Sequence, residues 1–387
     1  MTPPRLMLVC GEPSGDQLGA QLMAALKELD PEVEITGVGG EAMAAQGLSS
    51  LFSLSDTAVM GLREVVPKIP RILARVNEAV DFAIRTRPDA VVLIDSPDFT
   101  HRIARKLKRR APQIATVNYV APQVWASRAY RAKAMARYFD LLLALLPFEA
   151  QFFQSYGLRT VFVGHPVIER AARMQGGETL RQRLGISAES CLLCVLPGSR
   201  SNEVRLLLPV FRDAVVLLQQ RIPNLYCVLP TIPHVADRVR LGAADWPTPL
   251  TILDREDDKF AAFAAANAAL AASGTVTTEL ALARTPLVVG YKLGWLTYKL
   301  ARPFIHAPFA TLVNILLQRE AVPERIQERC TAQALADALL PLLEEGPARD
   351  RQIADLGDAC HKLGEGSLAP SFRAAQSLLE FIGRPKT

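Results

Sequence analysis

The chain has 387 residues, half of them hydrophobic, and a formal net charge of +5. That length exceeds one ordinary core and fits two domains, and although the mean hydropathy of +0.15 is high, no apolar run approaches the ~20 residues of a membrane span. A modestly basic balance suits an anionic ligand or a membrane surface, while dispersed basic residues without a recognised motif argue against nucleic acid.

In chain order, short continuous runs rich in Val, Ile and Leu predict buried parallel strands at 5–10, 33–37, 90–94, 114–120, 140–145 and 160–163. Helical patterns at 15–29, 66–86, 98–109 and 147–156 alternate with them. Gly164-His165-Pro166 and the polar stretch Met174–Glu178 read as a linker. The alternation then resumes with strands at 191–196, 225–229, 249–253, 268–271 and 286–290, and helices at 202–220, 257–265, 275–283, 331–344 and 348–380. The pattern predicts an α/β protein of two doubly wound, Rossmann-like domains, 1–168 and 169–364, facing across a cleft. A terminal segment from about 365 to 387 is expected to pack back on the first domain. The N-terminus enters a strand almost at once, leaving no room for a signal peptide, so a cytoplasmic protein is expected. Cys191 and Cys194 have redox-motif spacing, but strand alternation sends their thiols to opposite faces, which favours a plain strand.

Both halves open alike, with an apolar strand running into a glycine-containing loop and a helix. In the second half Leu196 leads into Pro197-Gly198-Ser199-Arg200, where backbone amides, a hydroxyl and a guanidinium suit phosphate oxygens. An ordinary strand-to-helix turn fits that tripeptide equally well. Ser273-Gly274-Thr275 also follows a buried strand and opens a helix, whose free N–H groups favour a diphosphate. Glu279, one turn further on, offers a carboxylate to the vicinal hydroxyls of a ribose. In the first half, Gly11-Glu12-Pro13-Ser14-Gly15-Asp16 carries two carboxylates, which suit sugar hydroxyls or an amide better than phosphate; Asp16 fits a helix cap equally. Asp95-Ser96-Pro97-Asp98 places two more carboxylates after a strand, one to orient the loop and one to act as general base, with Asp98 as an N-cap the competing reading.

Taken together, GEPSGD at 11–16, IDSPDF at 94–99, APQVWA at 121–126, LLPFE at 145–149, GHP at 164–166, LPGSR-x-x-EV at 196–204, ASGT-x-x-x-E at 272–279, VVGY at 288–291 and N-x-x-x-x-RE at 314–320 span nearly the whole chain. This ordered set resembles the lipid-A-disaccharide synthase family. The resemblance implies a GT-B glycosyltransferase that joins UDP-2,3-diacylglucosamine to 2,3-diacylglucosamine 1-phosphate (lipid X), releasing UDP and a β-1,6-linked tetraacyl disaccharide 1-phosphate. It implies inversion at the anomeric carbon without a metal or cofactor, in a monomer or homodimer. UDP would be bound by the C-terminal domain through Arg200, Glu279 and Asn314, with Gly198, Ser199, Ser273, Gly274, Thr275 and Arg319 around it. Glu12, Ser14, Gly15, Asp16, Gln123, Trp125 and His165 would meet the sugar or acceptor, and Asp98 is the candidate base, with Glu12 or Asp16 as alternatives. The chain departs from the family pattern at Ala126-Ser127-Arg128 and from Val313 to Gln318, and its acidic run Asp254–Asp258 is unusual.

Acylated substrates imply contact with the cytoplasmic face of the inner membrane. The segment from Gly61 to Arg75 mixes apolar Val65, Val66, Ile69 and Ile72 with four basic residues, as a helix lying on lipid would; a core-packing helix with a solvated basic face fits equally. Tyr291–Leu317, with Trp295, Tyr298, Phe304 and Phe309 among basic residues, is a second candidate. A UDP-sugar 2-epimerase and a non-catalytic nucleotide-sugar or lipid binder are the competing functional classes. The epimerase does not account for IDSPDF, APQVWA and GHP together, and replacing Asp98 by alanine discriminates the binder.

Overall fold

A computed structural model of the protein describes residues 3–57, 62–124, 130–294, 298 and 308–383. Its contacts divide the chain into two units, Met1–Pro166 with Gly366–Thr387, and Val167–Glu365.

The first unit is built on β1 (Arg5–Cys10), β2 (Glu34–Val38), β3 (Ala90–Ile94), β4 (Ala115–Tyr119), β5 (Leu141–Ala144) and β6 (Thr160–Phe162). All pair in parallel, in the order β2-β1-β3-β4-β5-β6. Every residue of β3 and β5 is buried, which is why these strands read as unbroken apolar runs rather than alternating ones. The strand order reverses at β1, which has β2 on one side and β3 on the other, so the loops leaving β1 and β3 open a crevice between them. Register pairs Cys10 with Ile94, so the loops beginning at Gly11 and Asp95 leave the sheet side by side. Helix Pro13–Leu29 starts tight against these strands: a Cβ on Gly15 would lie 2.9 Å from the Cys10 Cβ and 3.2 Å from the Ile94 carbonyl oxygen.

The second unit holds β7 (Cys191–Leu196), β8 (Leu225–Pro230), β9 (Leu250–Leu253), β10 (Ala268–Ala271), β11 (Leu287–Tyr291) and β12 (Glu324–Ile326), in the order β12-β11-β10-β7-β8-β9. Counted within the unit this is the 3-2-1-4-5-6 order of dinucleotide-binding folds, with its reversal between β7 and β10. Leu196 is in register with Ala271, so the loops carrying Gly198 and Ser273 emerge together. Cys194 is buried and Cys191 half-buried on β7, and both are free thiols.

Two features differ from expectation. β12 is three residues with two charges and no apolar run, and it exists because β11 offers its edge. The helix expected over 348–380 is two helices, Pro347–Lys362 and Pro370–Phe381. Gly364 and Gly366 take left-handed conformations between them (φ 106° and 80°), and Pro370 starts the second. This break coincides with the return of the chain from the second unit to the first. The last helix then packs Ala374, Ala375, Leu378 and Leu379 into the core that holds Leu22, Met23 and Leu26 of helix Pro13–Leu29. Among the described residues no helix is long and apolar enough to cross a membrane.

Candidate functional site

The crevice of the first unit is lined with carboxylates. Helix Pro97–Arg110 begins at Ser96, and both Asp95 and Ser96 hold left-handed backbone conformations (φ 53° and 46°). Val120, just past β4, is a β-branched residue at φ 83°. Such strain persists only where neighbours over-determine it. Here the Asp95 amide donates to the Tyr119 carbonyl (3.0 Å), the Val120 amide to Leu143 (3.1 Å), and the Asn118 amide group to the Val120 carbonyl (3.0 Å). The Asp95 carboxylate accepts from the Ser14 hydroxyl and the Ser96 amide, both at 2.8 Å, and so ties the two loops together. Asp98 is not the cap; it lies in the first helical turn, exposed. Burial, followed by the charges of Asp95 and Asp98, raises the pKa of Glu12 above the usual glutamate range. The Ser96 hydroxyl pulls the other way.

Asp16 corrects the sugar-ligand and base readings. Its buried carboxylate accepts from the amides of Gly40 (2.7 Å), Ala42 (2.9 Å) and Met43 (3.1 Å), capping helix Glu41–Ala45. Both oxygens are thus committed to the turn after β2, and Gly15 serves helix–strand packing. Gln123 is exposed in the loop after β4, and His165 is half-buried at the end of the first unit. Trp125 lies outside the described residues.

In the second unit the Gly198-Ser199-Arg200 loop already holds a carboxylate. Glu203 accepts from the amides of Ser199 (3.2 Å) and Arg200 (3.3 Å) and from the Arg200 guanidinium (2.7 Å). Gly198, at φ 112°, leaves room for it: a Cβ there would lie 2.6 Å from Glu203 Oε2. Backbone capture of a diphosphate by these two amides is therefore corrected, and what remains for an anion is the guanidinium of Arg200, 73% exposed. Sequence reasoning quotes Glu203 in the LPGSR-x-x-EV motif without a role, although a glutamate three residues after a helix's first flanking residue is the capping-box signal. Burial and Glu203 also raise the pKa of the Tyr291 phenol. The other loop is open. Helix Thr275–Leu282 begins at Gly274 with no side chain capping it, and the space beside Gly274 is empty to 4 Å. Its start, exposed at Gly274 and Thr275, is the kind of helix N-terminus that attracts anions. The Ser273 hydroxyl donates to the Ala310 carbonyl at 3.2 Å, and Thr275 is exposed. Glu279 is buried, with one oxygen on Arg170 and the other 2.9 Å from the Lys259 ammonium.

Asn314 and Arg319 differ from expectation. The Asn314 amide donates to the Val322 carbonyl and to Glu324 Oε1, and accepts from the amides of Ala321 and Val322, all at 2.8 Å. Glu324 also accepts from the amides of Ala310 and Thr311, so the pair folds the 310–324 loop rather than presenting a free amide. Arg319 forks onto Asp355 at 2.8 and 2.5 Å.

On helix Leu62–Thr86, Ile69 and Leu73 stand 43% and 37% exposed one turn apart, whereas Ile72 leans onto the core. Leu73 was not singled out in the sequence. Arg71 and Arg75 both pair with Asp56, at 2.6 and 2.8 Å, and so are not free for headgroups as expected. The side chains of Val65 and Val66 lie outside the described residues, as do Trp295 and Phe304 of the second apolar candidate.

One titration tests the carboxylate cluster. Asp95→Asn removes a negative charge beside Glu12, so the Glu12 pKa falls and its ionisation moves to lower pH. Carbon-detected NMR of protein labelled at the glutamate side-chain carboxyl reads this directly, and an unmoved Glu12 would refute the coupling.

Comparison with known proteins agrees with this geometry. The family model described as Lipid-A-disaccharide synthetase matches residues 6–369. The chain is 46% identical over 383 residues to the lipid-A-disaccharide synthase of Rhodospirillum centenum, covering 99% of this chain and 96% of that protein. Among solved structures it resembles the UDP-GlcNAc 2-epimerase of Neisseria meningitidis bound to UDP-GlcNAc (TM-score 0.64, 12% identity, 97% and 100% of the two chains). It also resembles MurG of Acinetobacter baumannii (TM-score 0.58, 15% identity, 98% and 99%). Those two likenesses speak to fold alone, whereas the family match spans nearly the whole sequence: the chain belongs to the lipid-A-disaccharide synthase family, glycosyltransferases of GT-B architecture.

Proposed function

We propose that the protein is an inverting glycosyltransferase that joins UDP-2,3-diacylglucosamine to lipid X, giving the β-1,6-linked tetraacyl disaccharide 1-phosphate and UDP. The observation that carries this reading is the pair of loops leaving the strand reversal of the first unit side by side, with Asp95 tethered to Ser14 and Asp98 exposed in the first turn of its helix. The second unit supports it with an uncapped helix N-terminus and an exposed arginine at its own reversal. The Neisseria neighbour, a protein of like fold bound to UDP-GlcNAc, supports a UDP-sugar ligand, and the uncapped helix and exposed arginine support placing its diphosphate in the second unit.

Asp98 accepts the proton of the acceptor 6-hydroxyl as its oxygen bonds to the anomeric carbon. The bond from that carbon to the diphosphate oxygen breaks, and its electron pair leaves with UDP. Charge therefore grows on the diphosphate, where the amides after Gly274 and the Arg200 guanidinium stabilise the transition state more than the ground state. Asp98 is preferred because its carboxylate is exposed, whereas Asp95 holds Ser14 and the Ser96 amide and Asp16 holds three amides.

Replacing Asp98 with Asn is expected to lower kcat by roughly 10²–10⁴-fold with UDP affinity unchanged. Single-turnover assays with calorimetric UDP titration measure both, and undiminished turnover would eliminate Asp98 as the base.

Contact with an anionic membrane surface is part of the same reading, since both substrates carry acyl chains. Ile69 and Leu73 are the apolar side chains that support it. Replacing both with Glu is expected to weaken co-sedimentation with phosphatidylglycerol vesicles at least about tenfold, the cost of withdrawing two partly exposed apolar groups from lipid. Unchanged vesicle binding would move the membrane face elsewhere.

A further inference from the structure

The acidic run Asp254–Asp258 has no part in the chemistry above, yet the structure uses it. The segment Pro166–Arg173 follows the boundary between the units, and its Arg173 forks onto Glu256 and Asp257 at 3.1 Å while stacking 4.4 Å from the Phe260 ring centroid. That clamp fixes the segment against helix Glu256–Ala265. The same helix supplies Lys259, whose ammonium sits 4.5 Å over Phe260 and 2.9 Å from Glu279. Arg170, one turn before Arg173, pairs with the other Glu279 oxygen.

Glu279 is thus a carboxylate only 4% exposed, held from two sides by cations whose own positions are fixed. Burying it without partners would be costly, and with one partner its second oxygen would be free to swing. Each carboxylate oxygen has two acceptor directions. The two cations account for one on each oxygen. Two adjacent acceptors, fixed in one plane a helical turn from the open Gly274 N-terminus, fit a vicinal diol.

We infer that Arg170 is a positioning residue for the nucleotide: by fixing Glu279 it sets recognition of the ribose 2′- and 3′-hydroxyls. The inference rests on the assignment of the nucleotide to the second unit. Arg170 touches Glu279 and acts through it, and Arg173 with the acidic run holds Arg170 in place.

The test compares calorimetric affinities for UDP and for 2′,3′-dideoxy-UDP in the wild-type chain and in Arg170→Met, Arg170→Lys, Glu279→Gln and the Arg170→Met/Glu279→Gln double variant, with thermal melting as a fold control. Arg170→Met is expected to weaken UDP about tenfold and leave dideoxy-UDP unchanged, the loss of one charge-assisted set of hydrogen bonds. Arg170→Lys should restore part of the discrimination, and the double variant should bind no worse than Glu279→Gln. Equal losses for both nucleotides, unchanged binding, or tighter UDP binding in Arg170→Met would each overturn the inference, the last by making Arg170 a competitor for Glu279. Retained discrimination in Glu279→Gln would instead overturn the nucleotide assignment.

Discussion

Each parallel sheet in this protein reverses its strand order once, and the chemistry collects where that happens. A right-handed crossover carries the chain to one face of its sheet, so strands added on either side of the first strand send their helices to opposite faces. The loops between must part. At β1 and β3 the parting loops are Gly11–Asp16 and Asp95–Asp98; at β7 and β10 they are Gly198–Arg200 and Ser273–Thr275. Register brings each pair level.

Charge then distinguishes the two crevices. In the first, Glu12, Asp95 and Asp98 crowd one another, and the chain tolerates this by tethering Asp95 to Ser14 and leaving Asp98 in solvent. In the second, Glu203 is answered by the Ser199 and Arg200 amides and the Arg200 guanidinium, Glu279 by Arg170 and Lys259, and Arg319 by Asp355. The Arg200 guanidinium, still 73% exposed, and the uncapped start of helix Thr275–Leu282 are left facing solvent. The first crevice thus concentrates carboxylates and the second offers an arginine and an uncapped helix start, the contrast on which the proposed division of roles rests.

Much of this architecture is legible in the sequence because fully buried strands have no polar face to confuse the pattern. β1, β3, β7 and β10 appear as apolar runs with the same bounds, or nearly so, as those they fold into. β12 is invisible for the converse reason, being a short charged strand that borrows its order from β11. The loops are legible as places but not as roles. Glu12 and Asp16 are chemically alike and four residues apart, and only the fold reveals that three amides from the turn after β2 converge on Asp16 while Glu12 faces Asp95. Asn314 reads as a ligand until the chain folds back to supply Val322 and Glu324. Long-range partners of this kind leave no local trace.

The central claim is that this pair of crevices performs a glycosyl transfer between two acylated glucosamines. Incubation of the protein with UDP-2,3-diacylglucosamine and lipid X in detergent micelles, followed by mass spectrometry, tests it most directly. The account predicts a tetraacyl disaccharide 1-phosphate formed in equal amount with UDP. UDP release without disaccharide, or no reaction from folded protein that binds UDP, would contradict it.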